Sequence, residues 1–319
     1  MTSPTILLTH TVGPDRGANL RDALVAAGVP ADALTIATTP EETRASITDA
    51  EGIVTGRLSE DLLDHAEKLR WVQALSAGVD SYPVEALRER EITLTNASGV
   101  HAEPIGEQVL AYMLTFERRL HTLARQQTER RWERQEGGEL RGKTLGVIGV
   151  GAIGTRVAEL GSALGMDVLG TKRDLDAMPA VVDEAYPADE YRAVCRESDY
   201  LVLACPLTEE TEGLIGFDEL RLLGEDGVLV NIARGEVCKQ RALVRACQAH
   251  LIRGAALDVF EEEPLPADSP LWDLSNVIVT PHMAGSTPEK MGRWAEIIAE
   301  NYEAVVGGGS NEEFRNRIV

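Results

Sequence analysis

Short apolar runs separated by amphipathic stretches set the rhythm of the chain. Residues 5–9 (TILLT), 34–38 (LTIAT), 52–55 (GIVT), 71–75 (WVQAL) and 92–96 (ITLTN) have the length and composition of buried strands. Helical patterns lie between them, such as RDALVAAG and SEDLLDHAEKL. In the second, Ser59 is placed to cap the N-terminus and Asp61 suits the first turn. This alternation predicts a parallel sheet covered by helices on both faces. One long helix is expected over 104–126, with Pro104 in its first turn. A polar stretch, 129–143, follows it. From residue 144 the alternation restarts: 144–149 (TLGVIG), 167–171 (DVLGT), 200–205 (YLVLAC), 227–232 (GVLVNI), 255–259 (AALDV) and 276–280 (NVIVT) read as strands. Helices are expected at 151–164, 189–197 and 239–250. Six strands in this order fit a complete dinucleotide-binding fold. A last helix is expected at 288–306, with a glycine turn at Gly307-Gly308-Gly309.

A length of 319 residues suggests about two domains. With 44% apolar residues, this is not a disordered acidic chain. Asp and Glu number 52 against 31 Lys and Arg, a net charge of -21. Bulk attraction to nucleic acid or to an anionic membrane is thereby excluded, so neither is an expected partner. An anionic ligand must instead be held by a local cationic or amide-lined site. Only five basic residues are lysine: Lys68, Lys143, Lys172, Lys239 and Lys290. An acidic, lysine-poor surface predicts salt adaptation, although an arginine-biased genome would leave the same trace. No run of about 18 apolar residues is present, so no membrane span is expected. The first twenty residues lack a basic segment and a long apolar core, so no signal peptide is expected either. Cys195, Cys205, Cys238 and Cys247 show no CxxC spacing. They read as buried free thiols of a cytoplasmic protein without a metal centre.

The chemistry begins at Gly149-Val150-Gly151-Ala152-Ile153-Gly154. A GxGxxG that follows an apolar strand and opens an amphipathic helix is a dinucleotide site. Its glycines permit a tight turn and let backbone N–H groups approach a pyrophosphate at the helix N-terminus. The next strand ends in Thr171-Lys172-Arg173, with no carboxylate at its tip to take a ribose hydroxyl. Two cations and a hydroxyl suit a 2′-phosphate, so the reading is NADP(H) over NAD(H).

Three later strands each end in a chemical group: Arg234 in VNIARG, the carboxylates of DVFEEEP, and His282 in TPHMAG. In an open α/β sheet, ligands lie beyond the carboxyl ends of the strands. Taken with LGVIGVGAIG (145–154), the segments LLGEDGVLVNIARGEV (222–237), ALDVFEEEPLP (256–266) and VIVTPHMAG (277–285) identify a resemblance over essentially the whole chain. The sequence resembles the D-isomer-specific 2-hydroxyacid dehydrogenases, most of all a haloarchaeal member that uses NADP.

That resemblance implies two doubly wound α/β domains. A Rossmann cofactor domain (101–285) would be inserted into a split, flavodoxin-like substrate domain (1–100 and 286–319). It implies that Arg234 binds the substrate's carbonyl and carboxylate, a task suited to a planar guanidinium. It implies that His282 is the general acid/base and that Glu263 is its partner, orienting the ring and favouring its protonated form. Ala77 and Gly78, in the Leu75–Asp80 segment after the WVQA strand, would hold the substrate carboxylate through their amides. Ala233, Cys205-Pro206 and Asp258 would line the cofactor, Asp258 near the nicotinamide amide. The domains would close on a small 2-oxo or 2-hydroxy acid, and a homodimer is expected. Hydroxypyruvate/glyoxylate reductase, phosphoglycerate dehydrogenase and a cofactor-binding regulator on the same fold are the alternatives.

Overall fold

The structure is a computed structural model that describes residues 4–79, 81–307 and 313–319. Asp80, Gly308 and Gly309 therefore lie outside the described residues. In chain order the elements begin β1 (Ile6–Leu8), α1 (Pro14–Ala26), β2 (Leu34–Ile36), α2 (Pro40–Ile47), β3 (Gly52–Thr55), α3 (Glu60–Leu63), β4 (Trp71–Ala74), α4 (Val84–Glu89) and β5 (Thr93–Thr95). They continue with α5 (Ala102–Glu117), α6 (Leu120–Thr128), β6 (Thr144–Ile148), α7 (Ala152–Ala163), β7 (Asp167–Lys172), β8 (Glu184–Pro187), α8 (Tyr191–Glu197) and β9 (Tyr200–Leu203). The rest are α9 (Phe217–Leu223), β10 (Val228–Asn231), α10 (Gln240–Gln248), β11 (Gly254–Leu257), β12 (Val277–Val279) and α11 (Lys290–Gly307). Two compact units result: Met1–Val100 with Thr287–Val319, and His101–Ser286. Among the described residues no helix is long and apolar enough to cross a membrane.

The first unit is a five-stranded parallel sheet in the order β2-β1-β3-β4-β5. Strands β1, β3 and β4 are buried throughout, which explains their unbroken apolar runs. Helix α11 completes this core. Trp294, Ile297, Ile298 and Tyr302 pack with Ile6, Leu8, Leu20 and Leu24. Asn301, fully buried in α11, donates to Gln73 Oε1 (3.0 Å) on β4 and clamps the backbone of Arg315 from both sides. The last residues then add to the β5 edge, Ile318 N–H donating to the Leu94 carbonyl at 2.7 Å.

The second unit is a seven-stranded parallel sheet in the order β12-β11-β10-β9-β6-β7-β8. Both units are thus doubly wound α/β folds, as the alternation predicts. Two details correct the sequence reading. The sheet has an edge strand, β8, whose residues Glu-Ala-Tyr-Pro are exposed or half-buried and so carry no apolar run. The expected long helix is two helices, α5 and α6, broken at Arg119, which adopts a left-handed backbone (φ 53°). The break follows Glu117, which turns inward. Its buried carboxylate accepts the Tyr200 hydroxyl (2.6 Å) and Arg253 Nη1 (3.2 Å), and its carbonyl accepts Gly138 N–H. An acidic residue in a polar-looking run is therefore an anchor in the core, paired and hydrogen-bonded as a buried charge must be.

Candidate active site

The GxGxxG segment links β6 to α7, and each glycine has a distinct physical reason. Gly149 has φ 94°, and a Cβ there would lie 2.7 Å from the Cys205 backbone. A Cβ on Gly154 would lie 2.4 Å from the Gly149 carbonyl, so α7 packs directly on the turn. A Cβ on Gly151 would meet nothing within 4 Å. Open space thus stands over the first N–H groups of α7, from Ala152, Ile153 and Gly154, which have no partner inside the helix. Amides at a helix N-terminus facing an uncrowded turn fit a pyrophosphate.

Around this loop the predicted residues divide. Arg173 is exposed at the end of β7. Lys172 is half-buried, and its ammonium donates to the Val150 carbonyl at 2.6 Å, at the rim of the loop. Thr171 departs from its expected role. It is 2% exposed, and its hydroxyl accepts Gly149 N–H at 3.1 Å. It braces the glycine turn from below rather than facing a phosphate. Cys205 forms the wall beside Gly149, and burial pushes its thiol up to about 11, so it stays protonated near neutrality. Pro206, next along, is exposed.

Strands β10, β11 and β12 are neighbours in the sheet, so the loops after them share one edge. After β10, buried Asn231 holds the turn: its Oδ1 accepts Ala233 N–H (3.1 Å) and its Nδ2 donates to the Arg234 carbonyl (2.9 Å). Ala233 is buried and Arg234 exposed. Gly235 is pressed against the backbone of Phe260, on the loop after β11. From that loop Glu263 reaches His282: Oε2 meets Nδ1 at 2.7 Å, while Oε1 accepts Phe260 N–H at 3.0 Å. Burial pushes the Glu263 carboxyl up. The hydrogen bonds from His282 and Phe260 and the positive charges of His282 and Arg234 outweigh it and hold the group below the usual carboxylate range. With Nδ1 engaged, Nε2 is the ring nitrogen left for proton transfer.

Asp258 also departs from its expected role. It is 2% exposed, and its two oxygens accept the Thr280 hydroxyl (2.5 Å) and the amides of Met283 (2.9 Å) and Ala284 (2.8 Å). Its carbonyl accepts His282 N–H at 2.9 Å. Asp258 therefore shapes the loop that carries His282 instead of offering its carboxylate to a cofactor. His282 adopts φ 49°, uncommon for a residue with a side chain, and this loop holds it there. The Tyr112 hydroxyl bonds that of Thr280, and His101 Nδ1 bonds the Gly285 carbonyl (3.1 Å). Sequence reasoning missed Asn231, Tyr112 and Thr280. Asn231 and Thr280 are polar residues at strand ends, a signal shared with any turn, and Tyr112 lies within α5, where an aromatic residue reads as core.

Ala77 and Gly78 belong to the first unit, in the loop after β4, and both are exposed. The Ser76 hydroxyl donates to the Gly78 carbonyl (2.6 Å) and Asn96 Nδ2 to the Ala77 carbonyl (2.6 Å). The loop's carbonyls are thereby engaged. Among the described residues, the amides of Ala77 and Gly78 have no backbone acceptor.

Comparison with known proteins agrees with this chemistry. Residues 110–284 match the model of the D-isomer specific 2-hydroxyacid dehydrogenase, NAD binding domain. The chain is 35% identical over 283 residues to the D-3-phosphoglycerate dehydrogenase of Methanocaldococcus jannaschii, covering 87% of this chain but only 54% of that protein. It thus spans about half the length of that relative. It is 39% identical over 279 residues to the glyoxylate reductase of Aeropyrum pernix, covering 84% of this chain and 82% of the relative. A crystal structure of a D-isomer specific 2-hydroxyacid dehydrogenase from Xanthobacter autotrophicus Py2, in complex with NADPH and MES, superimposes with a TM-score of 0.81 at 28% identity, covering 100% of this chain and 98% of that one. With a family model matching more than half its length and the glyoxylate reductase covered over most of its own, this chain belongs to the D-isomer-specific 2-hydroxyacid dehydrogenase family.

Proposed function

We propose that this protein is a reversible D-specific 2-oxoacid reductase that prefers NADP(H) to NAD(H). The observation that carries the reading is the 2.7 Å Glu263–His282 pair on the sheet edge that also presents Arg234. The glycine turn, Lys172 and Arg173 would hold the cofactor, and the bound nicotinamide supplies or takes up the hydride. Proton and charge handling belong to the chain. Arg234 draws the carbonyl oxygen and carboxylate toward its guanidinium, polarising the carbonyl. The amides of Ala77 and Gly78 hold the carboxylate. His282 gives its Nε2 proton to the substrate oxygen as negative charge grows there, and takes it back in the oxidative direction. Glu263, ionised throughout the neutral range, fixes the ring and stabilises the imidazolium. Glyoxylate and hydroxypyruvate are the first acids to assay, since the Aeropyrum pernix relative carries the name glyoxylate reductase.

The test is a kinetic panel of 2-oxo acids with NADPH and NADH, in low and molar salt. NADPH should be favoured by about tenfold or more in kcat/KM, because a 2′-phosphate gains charge-assisted hydrogen bonds at the end of β7. Arg173→Ala should remove most of that preference by raising KM for NADPH alone. Equal or better use of NADH by the parent protein would overturn the cofactor reading. Rising activity with salt would support adaptation of the lysine-poor surface; indifference to salt would leave the reductase reading intact and remove the halophile.

A homodimer and a cytoplasmic setting belong to the same reading. The four buried free thiols support the second. Trp132 supports the first: it is 97% exposed, and Leu120 and Leu123 of α6 are exposed as well. A large aromatic side chain in water marks a binding surface better than scattered aliphatic residues do. Light scattering should find two copies, and Trp132→Ala should weaken the association at least about tenfold. A monomeric parent protein would end this part of the proposal.

A further inference from the structure

The first unit carries a group of cations with no obvious purpose. Lys290 opens α11, half-buried, and its ammonium lies 4.5 Å from the centroid of the Trp294 ring. Arg16 stands exposed in the first turn of α1, which packs beside α11. One turn along α11, Nη1 of Arg293 is buried without a hydrogen-bond partner, and so is Nε1 of Trp294. Elsewhere in this unit Arg44, Lys68, Arg70, Arg88 and Arg90 each pair with a carboxylate. Among the described residues, Arg16, Lys290 and Arg293 do not, although the chain has a net charge of -21. Unpaired like charges at a half-buried position are costly, and an anion between them would remove the cost. Burial, and then the like charge of Arg16, hold the Lys290 ammonium below the usual lysine range, as expected of a cation lacking its counter-ion.

The position is as informative as the charge. Arg16 follows the carboxyl end of β1. Trp294 packs in one core cluster with Leu75, Ala97 and Val100, which follow the carboxyl ends of β4 and β5. Leu75 opens the loop that carries Ala77 and Gly78. Arg16 therefore lies on the edge of the sheet that bears the Ala77–Gly78 loop, where α/β folds bind their ligands, and Lys290, whose ammonium feels the charge of Arg16, lies near it at the start of α11.

We propose that Arg16, Lys290 and Arg293 form a second anion subsite, which takes the distal acidic group of a 2-oxo acid whose own carboxylate rests on Ala77 and Gly78. The substrate class rests on the reductase reading; the subsite does not. The distal group is a carboxylate or a phosphate, and the acids assayed distinguish them. Kinetics should be compared for glyoxylate, 2-oxoglutarate and 3-phosphohydroxypyruvate with parent protein, Lys290→Met and Arg16→Met. Each variant should lose about tenfold or more in kcat/KM on the acids with a second anionic group, mainly through KM. On glyoxylate the change should stay under about twofold, since no second group is present to be lost. The acid with the larger dependence on Lys290 identifies the distal group. Equal losses on all three acids, or no loss on any, overturn the subsite.

Calorimetry separates this idea from the reductase reading. Succinate and inorganic phosphate carry no reducible carbonyl. At least one should bind the parent protein and bind Lys290→Met about tenfold more weakly. Should either bind in that way while no oxo acid is turned over, the subsite stands and the reductase reading falls. Should oxo acids be turned over while neither probe depends on Lys290 or Arg16, the subsite falls and the reductase stands. Arg16 is exposed, so its variant keeps the test open if Lys290→Met does not fold.

Discussion

His282→Ala is expected to lower kcat by about 10³-fold while leaving affinity for the cofactor within about twofold. In the proposed mechanism the imidazole carries the proton; Glu263 grips it at 2.7 Å through Nδ1, and methyl offers nothing in its place. The glycine turn proposed to hold the pyrophosphate is braced by Thr171 and Cys205, not by the His282 loop. The backbone of that loop is fixed by Asp258, which bonds the amides of Met283 and Ala284 and the hydroxyl of Thr280, none of which the substitution removes. Single-turnover oxidation of NADPH with glyoxylate, beside a fluorescence titration of NADPH alone, separates the two quantities. A variant that keeps more than a tenth of parental kcat would remove His282 from proton transfer. Glu263→Gln should cost less, about 10–100-fold, because an amide oxygen still orients the ring but supplies no charge to stabilise the imidazolium.

Gly235→Ala should be the most damaging single methyl group in the second unit. Its Cβ would stand 1.9 Å from the Phe260 carbonyl carbon, 2.1 Å from its oxygen and 2.3 Å from the Glu261 nitrogen. These are backbone atoms, which cannot swing aside as a side chain does, so the two loops must separate. One loop carries Arg234 and the other Glu263, whose second oxygen depends on the Phe260 amide. A destabilisation of about 3 kcal/mol or more is expected, a fall in Tm of about 6–12 °C for a domain of this size. Displacement of the loops by about an ångström should also cost about 10²-fold in kcat/KM. Thermal unfolding and steady-state kinetics on the purified variant check both, and a parental Tm would show that the contact yields more easily than its geometry suggests.

How far the sequence reveals this molecule depends on how each part is buried. Central strands such as Tyr200–Leu203 and Val228–Asn231 are enclosed on both faces and announce themselves as apolar runs. Edge strand β8 is half solvated and does not. The helix break at Arg119 is invisible because its cause, the inward turn of Glu117 toward Tyr200 and Arg253, joins residues more than 80 positions apart. The same contrast runs through the site. Gly149 and Gly154 are legible because local backbone geometry demands them, and Gly151 because it completes their spacing and leaves the amides of α7 uncovered. Thr171 and Asp258 were expected at the cofactor, and they face inward instead, because a hydroxyl or carboxylate at a strand end serves a turn and a ligand equally well. Only the hydrogen-bond partners, Gly149 for one and the 280–284 loop for the other, tell these uses apart.

The burial of Asn301 against Gln73 bears on how the chain is born. The first unit lacks Trp294, Ile298 and Tyr302 from its core until α11 exists, and α11 follows residues 101–286. On a ribosome the second unit can therefore mature while β1–β5 still wait with an open apolar face. That interval exposes Leu20, Leu24 and Trp71 to self-association or to capture by chaperones. Nascent chains stalled before residue 287 should bind such holdases, and release should coincide with the emergence of α11. The order of synthesis thus makes the final helix a completion signal for the first hundred residues.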